Sequence, residues 1–83
     1  MANLARDSKQ IGNIIRRTRK KLGLSQKELG AKAGVRQETI SLIESGTSGG
    51  RVETLLAVLS VLGLELQIVP RSKGWADEME KFF

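Results

Sequence analysis

The sequence predicts an all-α domain of four to five helices, followed by one C-terminal strand that pairs between two subunits. Apolar residues recur at helical spacing in four segments of the chain, which indicates four amphipathic or buried helices. A capping box and two glycines divide the middle of the chain into a short helix, a turn and a second helix. Beyond the fourth segment, residues 64–69 alternate between apolar and polar, which is the period of a strand.

Length and composition exclude several classes of protein. The 83 residues allow one small domain. Because the chain contains no Cys and no His, it lacks disulfides, His-based catalytic triads and the usual zinc ligands. No nucleophile–base pair, Asp-rich metal loop or phosphate-binding glycine loop is present, so we expect no catalysis, no cofactor and no metal. The apolar stretch at residues 55–64 is too short for a membrane span, and no signal-peptide core is visible, so we expect a cytoplasmic protein.

Positive charge is concentrated near the N-terminus. The chain has 14 Lys and Arg residues against nine Asp and Glu. Seven of these cations lie in residues 1–21, together with a single anion, Asp7. A cationic helix face is either simply solvated or attracts a polyanion, and charge alone does not decide between the two.

The first helix is predicted from Ser8 to Leu22, after an N-terminal arm at residues 1–7. Its apolar stripe begins at Ile11 and continues at i+3, i+4, i+7 and i+11. Ser8 is predicted to cap the start of the helix, and Gly23 to end it in the left-handed conformation.

The second helix has a clear start signal. Ser25 and Glu28 have the S-x-x-E spacing of a capping box, in which each side chain binds the backbone N–H of the other residue. The helix is predicted to end near Ala33, because Gly34 breaks it. Gly30 inside the helix is a weak point, since Gly costs roughly 0.5–1 kcal/mol relative to Ala there.

The third helix is predicted from Arg36 to Ser45, and Gly46 ends it. Ile40 and Ile43 are expected to face the core. Four other side chains are expected to point elsewhere: Gln37, Glu38, Ser41 and Leu42. A short helix, a turn that contains glycine and a second helix together make a helix-turn-helix.

The fourth helix is predicted from Val52 to Leu62, after a flexible loop at residues 47–50. It is apolar on most sides, so either the other three helices or a second subunit must bury it. With this helix, the helix-turn-helix domain spans residues 8–63.

Residues 64–70 are predicted to form a dimerisation strand. A lone strand leaves a row of backbone N–H and C=O groups unpaired, and its simplest partner is the same strand in a second copy of the chain. We therefore expect a two-fold homodimer. The alternative is an irregular or helical extension packed on its own subunit. The predicted dimerisation residues are Leu59, Leu62, Leu64, Leu66 and Ile68.

The stretch from Leu22 to Gly46 resembles the helix-turn-helix of the phage-repressor-like (Cro/cI, or XRE) regulators. Their pattern reads roughly L-G-x-S-Q-x-E-L-A-x-x-A-G-V-S-x-x-x-I-S-x-I-E-x-G. The matching residues are Leu22, Gly23, Ser25, Gln26, Glu28, Leu29, Ala33, Gly34, Val35, Ile40, Ser41, Ile43, Glu44 and Gly46. Two positions depart from the pattern, because Gly30 replaces the usual Ala and Arg36 replaces the usual Ser or Thr. The resemblance implies a lambda-repressor-like domain that binds double-stranded operator DNA.

The segment after the helix-turn-helix points to a more specific group within these regulators. Residues 52–70 are similar to the same segment in small antitoxins of the HipB type. In that group the segment after the fourth helix pairs with its dimer mate as a two-stranded lid. The resemblance implies a repressor of its own operon that also binds a HipA-type Ser/Thr kinase toxin. The alternatives are a stand-alone regulator of the same fold without a toxin, and a helix-turn-helix that binds protein instead of DNA.

The resemblance also implies roles for individual residues. Arg36 is expected to donate to guanine or to a phosphate, and Gln37 to pair with adenine in the major groove. Arg19 is expected to form a structural ion pair with Glu44. The alternative for the DNA contacts is that they are ordinary exposed polar residues. The expected DNA contacts are Arg36, Gln37, Glu38, Thr39, Ser41, Gln26, Lys27, Arg17, Lys20, Ser48 and Arg51.

Residues 71–83 are predicted to be a flexible tail, and they hold all three aromatic residues of the chain. Trp75, Met79 and Phe82 fall at i, i+4 and i+7, which places them on one face of a short helix. So short a helix is marginal alone and is expected to order on a partner. The resemblance names a HipA-type kinase as that partner, with Phe83 as a further contact. Docking of these residues on their own dimer is the alternative.

Overall fold

The computed structural model describes residues 4–47 and 51–71, and these residues contain four helices. They are α1 (Ser8–Lys21), α2 (Gln26–Ala33), α3 (Gln37–Ser45) and α4 (Val52–Val61). α3 packs against both α1 and α2, and α2 also packs against α4. The all-α prediction is confirmed for these residues, and each helix begins and ends at or next to its predicted residue.

The core is aliphatic, as the composition predicts. Each of the four helices contributes at least one fully buried or nearly buried side chain, and burial of each stabilises the fold by about 1.5–3 kcal/mol. The core residues are Ile15, Leu29, Ile40, Ile43, Val58, Leu59 and Leu62.

The cap of α1 lies one residue earlier than predicted. The Oδ1 atom of Asp7 accepts a hydrogen bond from the Gln10 backbone N–H at 2.8 Å, so the prediction that Ser8 caps this helix is wrong. The reason is that Ser8 is already helical, whereas Asp7 has the extended backbone of a cap residue. Leu22, predicted on the apolar stripe, is 54% exposed, because the helix ends at Lys21.

α2 begins with the predicted capping box. The Ser25 hydroxyl accepts a hydrogen bond from the Glu28 N–H at 3.0 Å, and the Glu28 carboxylate accepts one from the Ser25 N–H at 2.9 Å. The hydrogen bond from the Ser25 backbone N–H is the main reason that the pKa of the Glu28 carboxyl is lowered. The hydrogen bond with the Ser25 side chain lowers this pKa further. Gly34 ends the helix at a φ of 75°, a left-handed conformation that favours glycine.

Two glycines allow close packing that the sequence does not reveal. A Cβ atom at Gly30 would lie 2.7 Å from the Val35 carbonyl oxygen, so this glycine lets the turn fold back onto α2. Gly30 is therefore more than the weak point that its helix propensity predicts. A Cβ atom at Gly12 would contact the Ile43 carbonyl oxygen and would lie 2.5 Å from that of Glu44. The backbones of α1 and α3 consequently approach each other directly at Gly12.

Residues 64–71, as described in this single chain, form neither a helix nor a strand. Leu64 packs on the core, and its N–H donates to the Leu59 carbonyl oxygen at 2.8 Å. Leu66 and Ile68 beyond it are 50% and 95% exposed. A strand shared between two subunits needs the second subunit, so the intersubunit ribbon stays a prediction. The predicted boundaries of the arm, domain, strand and tail likewise stay predictions.

Replacing Gly12 with Ala is expected to lower the free energy of unfolding by about 1–3 kcal/mol. The added methyl group must displace the α3 backbone, and this cost exceeds the roughly 0.5–1 kcal/mol that Ala gains over Gly inside a helix. Urea unfolding followed by circular dichroism measures the change. Asn13→Ala, at the next and exposed position of α1, is the matched control and should not destabilise the protein. A Gly12→Ala variant as stable as the wild type would contradict the close helix approach.

Candidate nucleic-acid interface

A buried ion pair joins α1 to α3. The Arg19 Nε atom donates to Glu44 Oε2 at 2.7 Å, and Arg19 Nη2 donates to Glu44 Oε1 at 3.1 Å. The two residues are only 8% and 6% exposed. Two parallel charge-assisted hydrogen bonds fix the relative orientation of their side chains as well as their distance. The predicted pairing of Arg19 with Glu44 is confirmed.

The same ion pair extends to α2. The Arg19 Nη1 atom donates to the Leu24 carbonyl oxygen at 2.8 Å, immediately before the α2 cap. The side-chain amide of Gln26 donates to Glu44 Oε1 at 3.2 Å. The hydrogen bond to Glu44 raises the pKa of Arg19, against the opposing effect of burial. The end of α1, the start of α2 and the end of α3 are thereby held in one arrangement.

α3 is anchored on one face and polar on the other. Ile40, Ile43 and Glu44 are buried on the inner face. Of the five predicted contacts at this helix, only Thr39 is half-buried. The other four are exposed: Arg36, Gln37, Glu38 and Ser41. A helix held in this way can insert its outer face into the major groove, which is wide enough to admit it.

The start of α3 has no side-chain cap. Arg36 occupies the cap position with an extended backbone, but its side chain makes no capping hydrogen bond. This confirms the prediction that replacing the usual Ser or Thr leaves the helix uncapped. Arg36 therefore adds a cationic residue at the positive end of the helix dipole, where an anion is favoured.

The start of α2 presents a second group of predicted contacts. Lys27 is exposed, and Gln26 is half-buried with its amide oriented by Glu44. Because a side-chain amide has two N–H donors, the Gln26 amide that binds Glu44 can also bind a phosphate oxygen. The capped helix end adds the positive end of its dipole.

The remaining predicted phosphate contacts, three cations and one serine, lie outside the helix-turn-helix. Arg17, Lys20 and Arg51 are exposed, and α1 contains no acidic residue that would neutralise the first two. Ser48 lies outside the described residues. Within residues 4–47 and 51–71, no group of His, Cys, Asp or Glu is placed to hold a metal ion. In the same ranges, no helix is long and apolar enough to cross a membrane.

The predicted dimerisation residues fall into two groups. Leu59 and Leu62 lie in the core of the single chain, and Leu64 packs against that core. Leu66 and Ile68 are the two that remain largely accessible. The predicted tail contacts, Trp75, Met79, Phe82 and Phe83, lie outside the described part of the chain.

Sequence reasoning missed an exposed apolar pair on α4. Val52 and Leu56 are 65% and 43% exposed and lie one helical turn apart. Their i, i+4 spacing is visible in the sequence, but the apolar residues all around this helix conceal it. A groove of about 930 Å³ also lies between residues 4–6, α1, α4 and residues 63–71. Extended apolar surface of this kind is typical of a protein interface.

Comparison with known sequences identifies this arrangement of helices. The pattern of the helix-turn-helix family matches residues 15–69. A curated relative from Haemophilus influenzae, named an uncharacterized HTH-type transcriptional regulator, is 47% identical over 53 residues. This match covers 64% of the chain and 54% of the relative, so the chain spans about half the length of the curated relative.

Two solved structures share the fold. A HipB variant in complex with the O2 20mer has a TM-score of 0.77 and 26% sequence identity, over 88% of this chain and 100% of that one. MDT Protein has a TM-score of 0.76 and 26% identity, over 87% of this chain and 100% of that one. Both likenesses extend beyond the helix-turn-helix to most of the described chain.

Replacing Glu44 with Gln is expected to lower the free energy of unfolding by about 3 kcal/mol. The substitution keeps the size of the side chain but leaves the buried Arg19 cation without its counter-charge. Glu38→Gln on the exposed face of the same helix is the matched control, and it should change stability by less than about 0.5 kcal/mol. Thermal unfolding of both variants provides the comparison. If both variants were equally stable, the ion pair could not be what holds α1 against α3.

Proposed function

The chain belongs to the helix-turn-helix family, and on that basis we propose that it is a transcriptional repressor that binds double-stranded operator DNA as a homodimer. The observation that carries this proposal is α3, which is anchored by its buried face and presents polar side chains on the other. The name of the Haemophilus influenzae relative supports a regulatory role. The HipB complex with a 20mer supports an oligomeric ligand for this fold.

The residues at the start of α3 recognise the DNA sequence. Arg36 donates to guanine O6 and N7, or to a phosphate, and Gln37 pairs with adenine N6 and N7. Glu38 accepts a hydrogen bond from cytosine N4. Thr39 and Ser41 bind a phosphate or contact a thymine methyl group.

Affinity comes largely from phosphate contacts, which also set the register of the protein on the duplex. Gln26 binds a phosphate through an amide that Glu44 already orients. Because α1 carries several cations and no acid, its exposed side adds attraction that salt weakens. The proposed phosphate contacts are Gln26, Lys27, Arg17, Lys20, Ser48 and Arg51.

The proposed homodimer pairs residues 64–70 of two copies. Leu66 and Ile68 support it, because both are exposed in the single chain and alternate with polar residues as a strand requires. The exposed pair Val52 and Leu56 on α4 supplies further apolar surface. Two-fold symmetry then places the two α3 helices in half-sites roughly 34 Å apart, or a multiple of this distance.

We further propose that the protein is the antitoxin of a HipBA-type system. The HipB likeness over 88% of this chain supports the assignment. In this proposal Trp75, Met79, Phe82 and Phe83 bind a HipA-type Ser/Thr kinase toxin. A stand-alone regulator without a toxin is the alternative. A kinase-like reading frame immediately downstream of the gene would favour the antitoxin, and its absence would favour the stand-alone regulator.

Replacing Gln37 with Ala is expected to weaken binding to the preferred site by about 1–3 kcal/mol and to relax the preference at one base pair. Lys27→Ala should instead weaken binding to every duplex alike and lower the salt slope by about one. The preferred site is first selected from random duplexes. Fluorescence-anisotropy titrations at several salt concentrations then compare the variants and give the number of chains per site.

Three outcomes would count against the proposal. If selection gave no preferred duplex, the protein would not be a sequence-specific repressor. If Gln37→Ala kept the sequence preference of the wild type, Gln37 would not read a base. One chain per saturated site, instead of two, would exclude the dimer.

A further inference from the structure

The outer face of α3 includes one large apolar side chain. Leu42 is 48% exposed, although the neighbouring outward residues are polar. A single exposed leucine is common on protein surfaces and needs no explanation by itself. The position of Leu42 on α3 does require an explanation, because α3 is the helix that enters the DNA major groove in the proposed function. We infer that Leu42 contacts the C5-methyl group of a thymine in the operator, an inference that rests on the proposed function.

Leu42 lies among the predicted base contacts and apart from the core. It follows Glu38 by four residues, so the two side chains are neighbours on the helix surface. Ser41 precedes it and is also exposed. The buried face of the same helix is formed by Ile40, Ile43 and Glu44. Leu42 is therefore directed toward whatever α3 contacts outside its own chain.

The backbone that carries Leu42 is held in place. Its carbonyl oxygen accepts hydrogen bonds from the Ser45 hydroxyl at 2.9 Å and from the Thr47 N–H at 3.3 Å. Two residues further on, Glu44 forms the buried ion pair with Arg19. A leucine side chain also loses little rotamer entropy when it is ordered. Leu42 consequently offers a preorganised apolar surface to its ligand.

Thymine supplies the matching apolar group. The major-groove edges of the other three bases present hydrogen-bond donors and acceptors, whereas thymine adds a methyl group. A leucine cannot bind those polar atoms, but it can remove the methyl group from water. Leu42 therefore specifies a thymine, and it disfavours cytosine, which lacks the methyl group at the same position.

The inference is tested by changing the DNA and not the protein. Each thymine of the selected duplex is replaced in turn by deoxyuridine, in both half-sites, which removes the methyl group and leaves base pairing intact. Burial of one methyl group predicts a loss in affinity of about fourfold per half-site at one thymine position for the wild type. The same replacement should not change the affinity of Leu42→Ala. Anisotropy titrations measure both affinities.

The matched control is Leu22→Ala. Leu22 is also about half-exposed but lies outside α3, so this variant should show the same methyl dependence as the wild type. If a preferred duplex exists but no thymine position depends on Leu42, the inference is overturned and the proposed function stands. If no preferred duplex exists, both are overturned.

Discussion

A buried ion pair between Arg19 and Glu44, 2.7 Å apart, joins α1 to α3 and to the start of α2. Removing two charges from water is costly, and their attraction offsets that cost only when the remaining polar atoms are also hydrogen-bonded. The Leu24 carbonyl and the Gln26 amide provide these further partners. Because the partners lie at the start of α2, the pair fixes how α2 and α3 are arranged. The ion pair also needs the backbones of α1 and α3 to be close, which the missing side chain of Gly12 permits.

This arrangement explains how a small domain can present a rigid recognition surface. α3 has only nine residues, too few for a stable isolated helix in water. Packing of Ile40 and Ile43 together with the ion pair of Glu44 holds it on the domain. The side chains on its outer face are not needed for this packing. The polar side chains and Leu42 on that face are available for a ligand.

Features encoded within a few residues could be predicted from the sequence, whereas features that depend on packing could not. The capping box at Ser25 and the glycines that end α1, α2 and α3 are local signals, and the structure confirms them. The close approaches at Gly12 and Gly30 depend on other elements, so propensity alone assigned Gly30 only a cost. In the candidate site, the family pattern indicated the outward residues of α3, but it did not show that Glu44 orients Gln26. Pairing of residues 64–70 involves a second copy, which no property of one chain determines.

We propose that α3 and the start of α2 together form the surface that binds DNA. The most direct measurement is the change in backbone amide chemical shifts when the ¹⁵N-labelled protein is titrated with its selected duplex. The largest changes are expected at residues 26–28 and 36–42, with small changes along α4. Changes concentrated on α4 or on residues 64–71, with α3 unaffected, would contradict it.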